Sequence, residues 1–215
     1  MKRKQIAAFV MAVVLILCAG GAQAAMGGKL PGNIKYGVQV PYENRVYGYS
    51  LDVYSRFHMY GDAATELLLA KLNEQDEQGE QLYDIRMWSS PDAKCQLLVQ
   101  VKQPSCVSFA QEIENAPHYA ERMQDRFAPE QQFRQLHDGI LRDTPVGQML
   151  EIASSCTVTA EDGSQIPQTE VYYDFYANGY EYIFMVISLG EGTYEAAQQL
   201  LDSIAQTISI WQVGL

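Results

Sequence analysis

The chain has 215 residues, 15 of them basic and 26 acidic, for a formal net charge of −11. A surface this acidic repels phosphate backbones and anionic headgroups, which excludes nucleic acid and peripheral membrane binding from the expected functions. Aromatic residues make up 11% of the chain, 14 of them tyrosines, so candidate contact surfaces are sought among tyrosines rather than among basic patches.

Lys2, Arg3 and Lys4 precede an apolar run from Ile6 to Cys18, and AGGAQA follows. A basic start, a short apolar centre and a small-residue A-x-A site make a secretory signal peptide, with cleavage expected after Ala24. The apolar run is shorter than the roughly 20 residues a bilayer span needs, so no stable membrane insertion is expected after cleavage. Leu17 stands before Cys18 where a lipid-anchoring site needs a small residue, so lipidation of Cys18 is not expected. The first 24 residues hold three basic and no acidic side chains, leaving a mature chain of 191 residues with 12 basic against 26 acidic, net −14. That length is one domain. Residues 25–33, including GGKLPGN, read as a flexible leader, and 34–215 as a single secreted, extracytoplasmic domain.

Residues 36–60 carry strand formers in alternation, with a turn expected at PYEN. Asp62 is placed to start a helix whose face carries Ala64, Leu68, Leu69 and Leu72, with Gly79 as the stop. The acidic run from Glu74 to Glu80 reads as a solvated helix end, weak calcium attraction being the sharper alternative. LYDIRMW and CQLLVQV are strands reversed by SSPDAK. Phe109, Ile113, Ala116, Ala120, Met123 and Phe127 mark one helix face, with Ser108 and Gln111 as a capping box and Pro117 forcing a kink or restart. LHDGIL, residues 136–141, suggests a small Asp-Gly hairpin.

Asn178-Gly179 is the strongest hairpin signal, because a type I′ turn needs positive φ at both central residues. It pairs Phe175 with Tyr182, Tyr173 with Phe184 and Val171 with Val186 on one face. The other face pairs Tyr176 with Glu181, Asp174 with Ile183 and Tyr172 with Met185. A second two-residue turn at Asp162-Gly163 would set Leu150 opposite Phe175, Ile152 opposite Tyr173 and Cys156 opposite Thr169. Together these give a three-stranded meander with Tyr173, Phe175, Tyr182 and Phe184 in the core. Tyr194, Ala197, Leu201, Ile204 and Ile208 line one side of a closing helix, with Thr193 as N-cap and Glu195 in the first turn. The fold class expected is α+β, a central antiparallel sheet flanked by helices in an α/β/α sandwich.

The order of these elements resembles the PsbP-like fold family. The resemblance rests on GYSLDVYSRF, on EIASSCTV followed by EVYYDFYANGYEYIFMVIS, and on EAAQQLLDSIAQTISIW. That family includes an extrinsic photosystem II subunit and secreted bacterial relatives. The resemblance implies a non-catalytic partner-binding or assembly role and carries over no functional residue.

Chemistry is sparse. There is no H-E-x-x-H, G-x-S-x-G, S-x-x-K or phosphate-binding loop. His58, His118 and His137 are scattered, and no C-x-x-C accompanies Cys95, Cys106 and Cys156. One disulfide plus a free thiol and three buried thiols both fit that odd count. EDGSQ reads as a hairpin turn and lacks the ligand period of a calcium loop. No catalytic residue, metal ligand or cofactor site is assigned. The expected function is a secreted bacterial binding or assembly module meeting an envelope or extracellular protein. An extracytoplasmic hydrolase with an unrecognised site is the alternative. The candidate partner surface is Tyr172, Asp174, Tyr176 and Glu181, which share the less apolar face of the meander; the competing reading puts that face under a helix.

Overall fold

A computed structural model describes residues 36–75, 81–124, 127–160, 162–190 and 194–213. The expected cleavage site at Ala24 and the expected cap at Thr193 lie outside the described residues. The strands are β1 (Gln39–Asn44), β2 (Tyr49–Tyr54), β3 (His58–Met59), β4 (Leu82–Ser89), β5 (Cys95–Lys102), β6 (Arg134–Gln135), β7 (Ile140–Thr144), β8 (Gly147–Thr159), β9 (Gln165–Ala177), β10 (Tyr180–Leu189) and β11 (Ser209–Ile210). The helices are α1 (Asp62–Gln75), α2 (Phe109–Asn115), α3 (Tyr119–Gln124) and α4 (Tyr194–Ala205).

One antiparallel sheet dominates, in the order β3-β4-β5-β10-β9-β8-β6, with β7 also paired to β8. A smaller sheet, β1-β2-β11, packs with α4 over one face. That side buries Tyr49, Leu51, Val99, Tyr173, Tyr182, Phe184, Leu201 and Ile204. On the other face Leu68 of α1 joins Met87, Leu98 and Ile187, while Phe109, Ile113 and Tyr119 pack on Leu150, Ile152, Tyr172 and Ile183. The architecture is thus α+β with covered sheet faces, one cover being a helix plus a small sheet rather than helices alone. No helix among the described residues is long and apolar enough to cross a membrane.

Local rules explain most elements. Ser108 Oγ accepts from the Gln111 amide at 3.3 Å and starts α2. Pro117 lacks an amide hydrogen and sits in a 3-10 turn, Ala116–His118, which separates α2 from α3. Pro41 is tolerated because β1 is an edge strand. Tyr42 and Glu43 pair with β2, and the reversal falls at residues 45–48, so PYEN is strand and not turn. Gly48, at φ +65, closes it; a β-carbon there would lie 2.3 Å from the Trp211 carbonyl oxygen.

The β9–β10 hairpin has the expected register throughout, from Ala177 opposite Tyr180 to Val171 opposite Val186. Asn178 and Gly179 have φ of 54° and 79°, as a type I′ turn requires. The β8–β9 register differs by one residue. Leu150 faces Asp174, Ile152 faces Tyr172 and Cys156 faces Gln168. The cause is the turn: Ala160 and Ser164 bracket a three-residue connection, with Gly163 at φ +82. A one-residue slip reverses every side chain of a strand. Leu150 and Ile152 therefore meet α2 and α3, while Met149, Glu151 and Ala153 face α4.

LHDGIL is not a hairpin. β6 and β7 both lie along β8, Gln135 opposite Ser154 and Ile140 opposite Glu151, with residues 136–139 stepping between them. Gly139, at φ +99, lets that step pass under Ala116, whose β-carbon would be 2.7 Å from a side chain there.

Candidate functional site

The meander face expected to meet a partner is covered. Tyr172, Asp174 and Glu181 are buried and Tyr176 is half-buried, because α2, the 3-10 turn and α3 close over the apolar residues between them. Tyr119 stacks edge-on to Tyr172 at 5.9 Å, and Phe109 approaches Tyr176 at 5.9 Å. Ile183 and Met185 needed cover, and the cover takes the polar residues with them. An exposed contact surface made of Tyr172, Asp174, Tyr176 and Glu181 is thereby corrected.

The polar groups beneath this cover form one cluster. Glu181 accepts from the Ser105 amide at 2.6 Å and the Ser105 hydroxyl at 2.5 Å, and pairs with Lys102 Nζ at 3.0 Å. Glu112 pairs with Arg122 at 3.1 Å and accepts from the Cys106 thiol at 2.8 Å. The Cys106 amide donates to Tyr176 Oη at 3.2 Å. Burial and the Glu112 carboxylate push the Cys106 thiol up to about 11, so it is protonated at neutral pH and a poor nucleophile. None of Cys95, Cys106 and Cys156 forms a disulfide. Asp174 is different from its neighbours: its Oδ1 is buried without a hydrogen-bond partner.

A second buried carboxylate, Glu151, lies on the opposite face. It accepts from His137 Nε2 at 3.0 Å, Arg142 Nε at 2.6 Å and Tyr194 Oη at 2.5 Å. These donors overcome its burial and hold its carboxyl at about 2. A His–Glu pair invites a catalytic reading, but both ring nitrogens are engaged. The Gly139 amide donates to Nδ1 at 3.2 Å, which leaves the proton on Nε2 for Glu151. The group ties β7, β8 and the start of α4 together. Among the described residues no cluster of three or more His, Cys, Asp or Glu is arranged to hold a metal ion.

One accessible feature among the described residues lies at the end of the sheet beside the Asn178-Gly179 turn. A groove of about 410 Å³ is lined by Pro145, Val146, Phe175, Ala177, Asn178, Ile208, Ser209 and Ile210. Asn178 Nδ2 donates to the Trp211 carbonyl at 3.0 Å and joins the C-terminal segment to the turn. Nearby, half-buried Tyr47, Tyr83 and Tyr180 meet edge-to-face, Tyr180 lying 5.8 Å from Tyr47 and 5.5 Å from Tyr83. Val46 at the tip of the β1–β2 turn is 72% exposed. Sequence reasoning missed this surface, since it assembles from five separated segments; the tyrosines and the Asn-Gly turn were its only local signals.

No family model matches the chain, and no curated protein matches it in sequence. Solved structures do. The chain is similar to cyanobacterial PsbP (CyanoP) from Synechocystis, with a TM-score of 0.47 and 11% identity over 86% of this chain and 99% of that one. It is also similar to a Bacteroides thetaiotaomicron protein, with a TM-score of 0.43 and 10% identity over 84% of this chain and 50% of the other. LpqN of Mycobacterium tuberculosis, described as involved in cell envelope biogenesis, matches with a TM-score of 0.39 and 8% identity over 80% of this chain and 90% of LpqN. All three likenesses have TM-scores below 0.5 and identities of 8–11%.

Proposed function

We propose that this chain is a secreted bacterial binding or assembly module that meets a protein partner with the aromatic end of its sheet. The observation that carries the reading is the groove beside Asn178, whose lining holds no acid, base or thiol. Such a surface can bind but has nothing with which to move a proton. Tyr47, Tyr83 and Tyr180 extend it with large, rigid, amphipathic rings, the side chains that supply contact area at low entropic cost. Two buried pairs that could have served a hydrolase, His137 with Glu151 and Cys106 with Glu112, are committed to one another inside the fold. The basic start and A-x-A site support export, with cleavage after Ala24.

Chemical crosslinking and capture from the envelope of the producing cell test the reading. Val146→Asp and Tyr180→Ala, each checked for native folding, are expected to lose captured partners that the wild type retains. Unchanged capture by both variants removes this surface. Mass spectrometry of the exported protein is expected to find Ala25 as the first residue; an exported form that begins at Met1 overturns the cleavage.

A further inference from the structure

The cluster beneath α2 and α3 brings together three carboxyl groups and two cations. Glu181 holds Lys102, and Glu112 holds Arg122. Each cation is thus engaged by a carboxylate other than Asp174. Asp174 itself is 2% exposed, faces Leu150 of β8 on one side and Ile183 of β10 on the other, and leaves Oδ1 without a partner. An ionised carboxylate in such a place is among the costliest groups a fold can bury, whereas a protonated one is tolerated.

We propose that Asp174 is a proton-dependent latch: while protonated it lets residues 103–124 close over the β9–β10 face, and its ionisation loosens that cover. Every group facing it bears on the switch. Glu181 of β10 and Glu112 of α2 repel its charge, and Lys102 of β5 attracts it. Tyr172 and Tyr176 flank it on its own strand; Cys106 and Arg122, from the cover, act through Glu112. β8 places Leu150 opposite it and Ile152 opposite Tyr172, neither of them titratable. Burial first, and then Glu181 and Glu112, raise the Asp174 carboxyl well above the ordinary aspartate range. The cover is bound to the sheet through the same neighbourhood: Ser105 to Glu181 and the Cys106 amide to Tyr176. Charge on Asp174 therefore strains the contacts that hold the lid down. Opening would bare Tyr172, which the closed form buries, and the covered side of half-buried Tyr176.

The sign follows from linkage. A carboxyl whose pKa is higher in the closed form favours closure fully below its open-form pKa, and that preference is lost as pH rises through the closed-form value. Hydrogen–deuterium exchange of the purified protein, followed at the amides of 103–124 and corrected for intrinsic rate, tests it. Protection is expected to fall about tenfold per pH unit between about 4 and the raised value of Asp174. Amides of the β5–β10 ladder serve as the reference and should change far less. In Asp174→Asn the protection of 103–124 should be independent of pH over the same window. Protection of the wild type that does not change with pH, or an Asp174→Asn variant with the same fall, overturns the proposal. Carboxyl ¹³C titration of the wild type decides the matter independently of how the variant folds. Asp174 still mainly protonated at pH 6 supports the latch, and Asp174 mainly ionised at pH 6 overturns it.

Discussion

Glu151 and Asp174 are both buried acids on the long strands of one sheet, yet the fold treats them in opposite ways. Glu151 faces α4 and receives three donors, from His137, Arg142 and Tyr194. Asp174 faces α2 and α3, with apolar neighbours on both adjacent strands and two further carboxylates close by. One is held ionised and the other is driven toward its neutral form. Burial raises the pKa of both; the number and charge of the partners sets the net direction. A buried acid is therefore a structural anchor on one side of this sheet and a titratable weak point on the other.

The contrast breaks most visibly at Glu151. Glu151→Ala strands the guanidinium of Arg142 and the donors of His137 and Tyr194, and is expected to cost about 3–5 kcal/mol in a urea melt at neutral pH. A loss below about 1 kcal/mol would mean that the network contributes only locally. Its pH dependence has a definite sign. The folded pKa is depressed, so its contribution is full above the unfolded value and is lost as pH falls toward about 2. Urea midpoints of the wild type between pH 2 and 6 should drop at the acid end, and Glu151→Gln should flatten that limb.

Asp174→Asn should act in the other direction. Its gain in stability over the wild type should grow by about 1.4 kcal/mol per pH unit between about 4 and the raised value, then level off. Thermal melts of both proteins across pH 4–9 would show it, and parallel curves would refute the protonated reading. A smaller effect tests the turn that placed Glu151 and set Leu150 opposite Asp174. Gly163 sits at φ +82 with nothing within 4 Å of a β-carbon, so Gly163→Ala bears only the backbone penalty, about 1 kcal/mol. A much larger loss would show that the β8–β9 register itself had shifted.

That register marks the boundary between what was legible and what was not. The Asn178-Gly179 turn has a single low-energy geometry, so the pairing of Tyr173 with Phe184 and of Tyr176 with Glu181 could be read from the residues. Asp162-Gly163 permits either a two- or a three-residue connection. The choice moved Glu151 to the side of β8 that faces α4 and put Leu150 beside Asp174. Pattern alone could not decide between them, because β8 carries buried residues on both faces, from Met149 through Ser154.

The helices follow the same division. The 3.6-residue spacing of Ala197, Leu201 and Ile204 and the break at Pro117 are local properties, and they fixed where α4 runs and where α2 gives way to α3. The exposure of Tyr172, Asp174, Tyr176 and Glu181 is not local. It depended on whether residues 103–124 folded back over the sheet, and Ile183, Met185 and Tyr172 supplied the apolar area that drew them there. The groove beside Asn178 arises only when Pro145, Phe175 and Ile210 converge from distant parts of the chain. Local propensity and turn chemistry act over a few residues and leave their mark in the sequence; burial is settled by which surfaces meet, and that was decided by the tertiary structure.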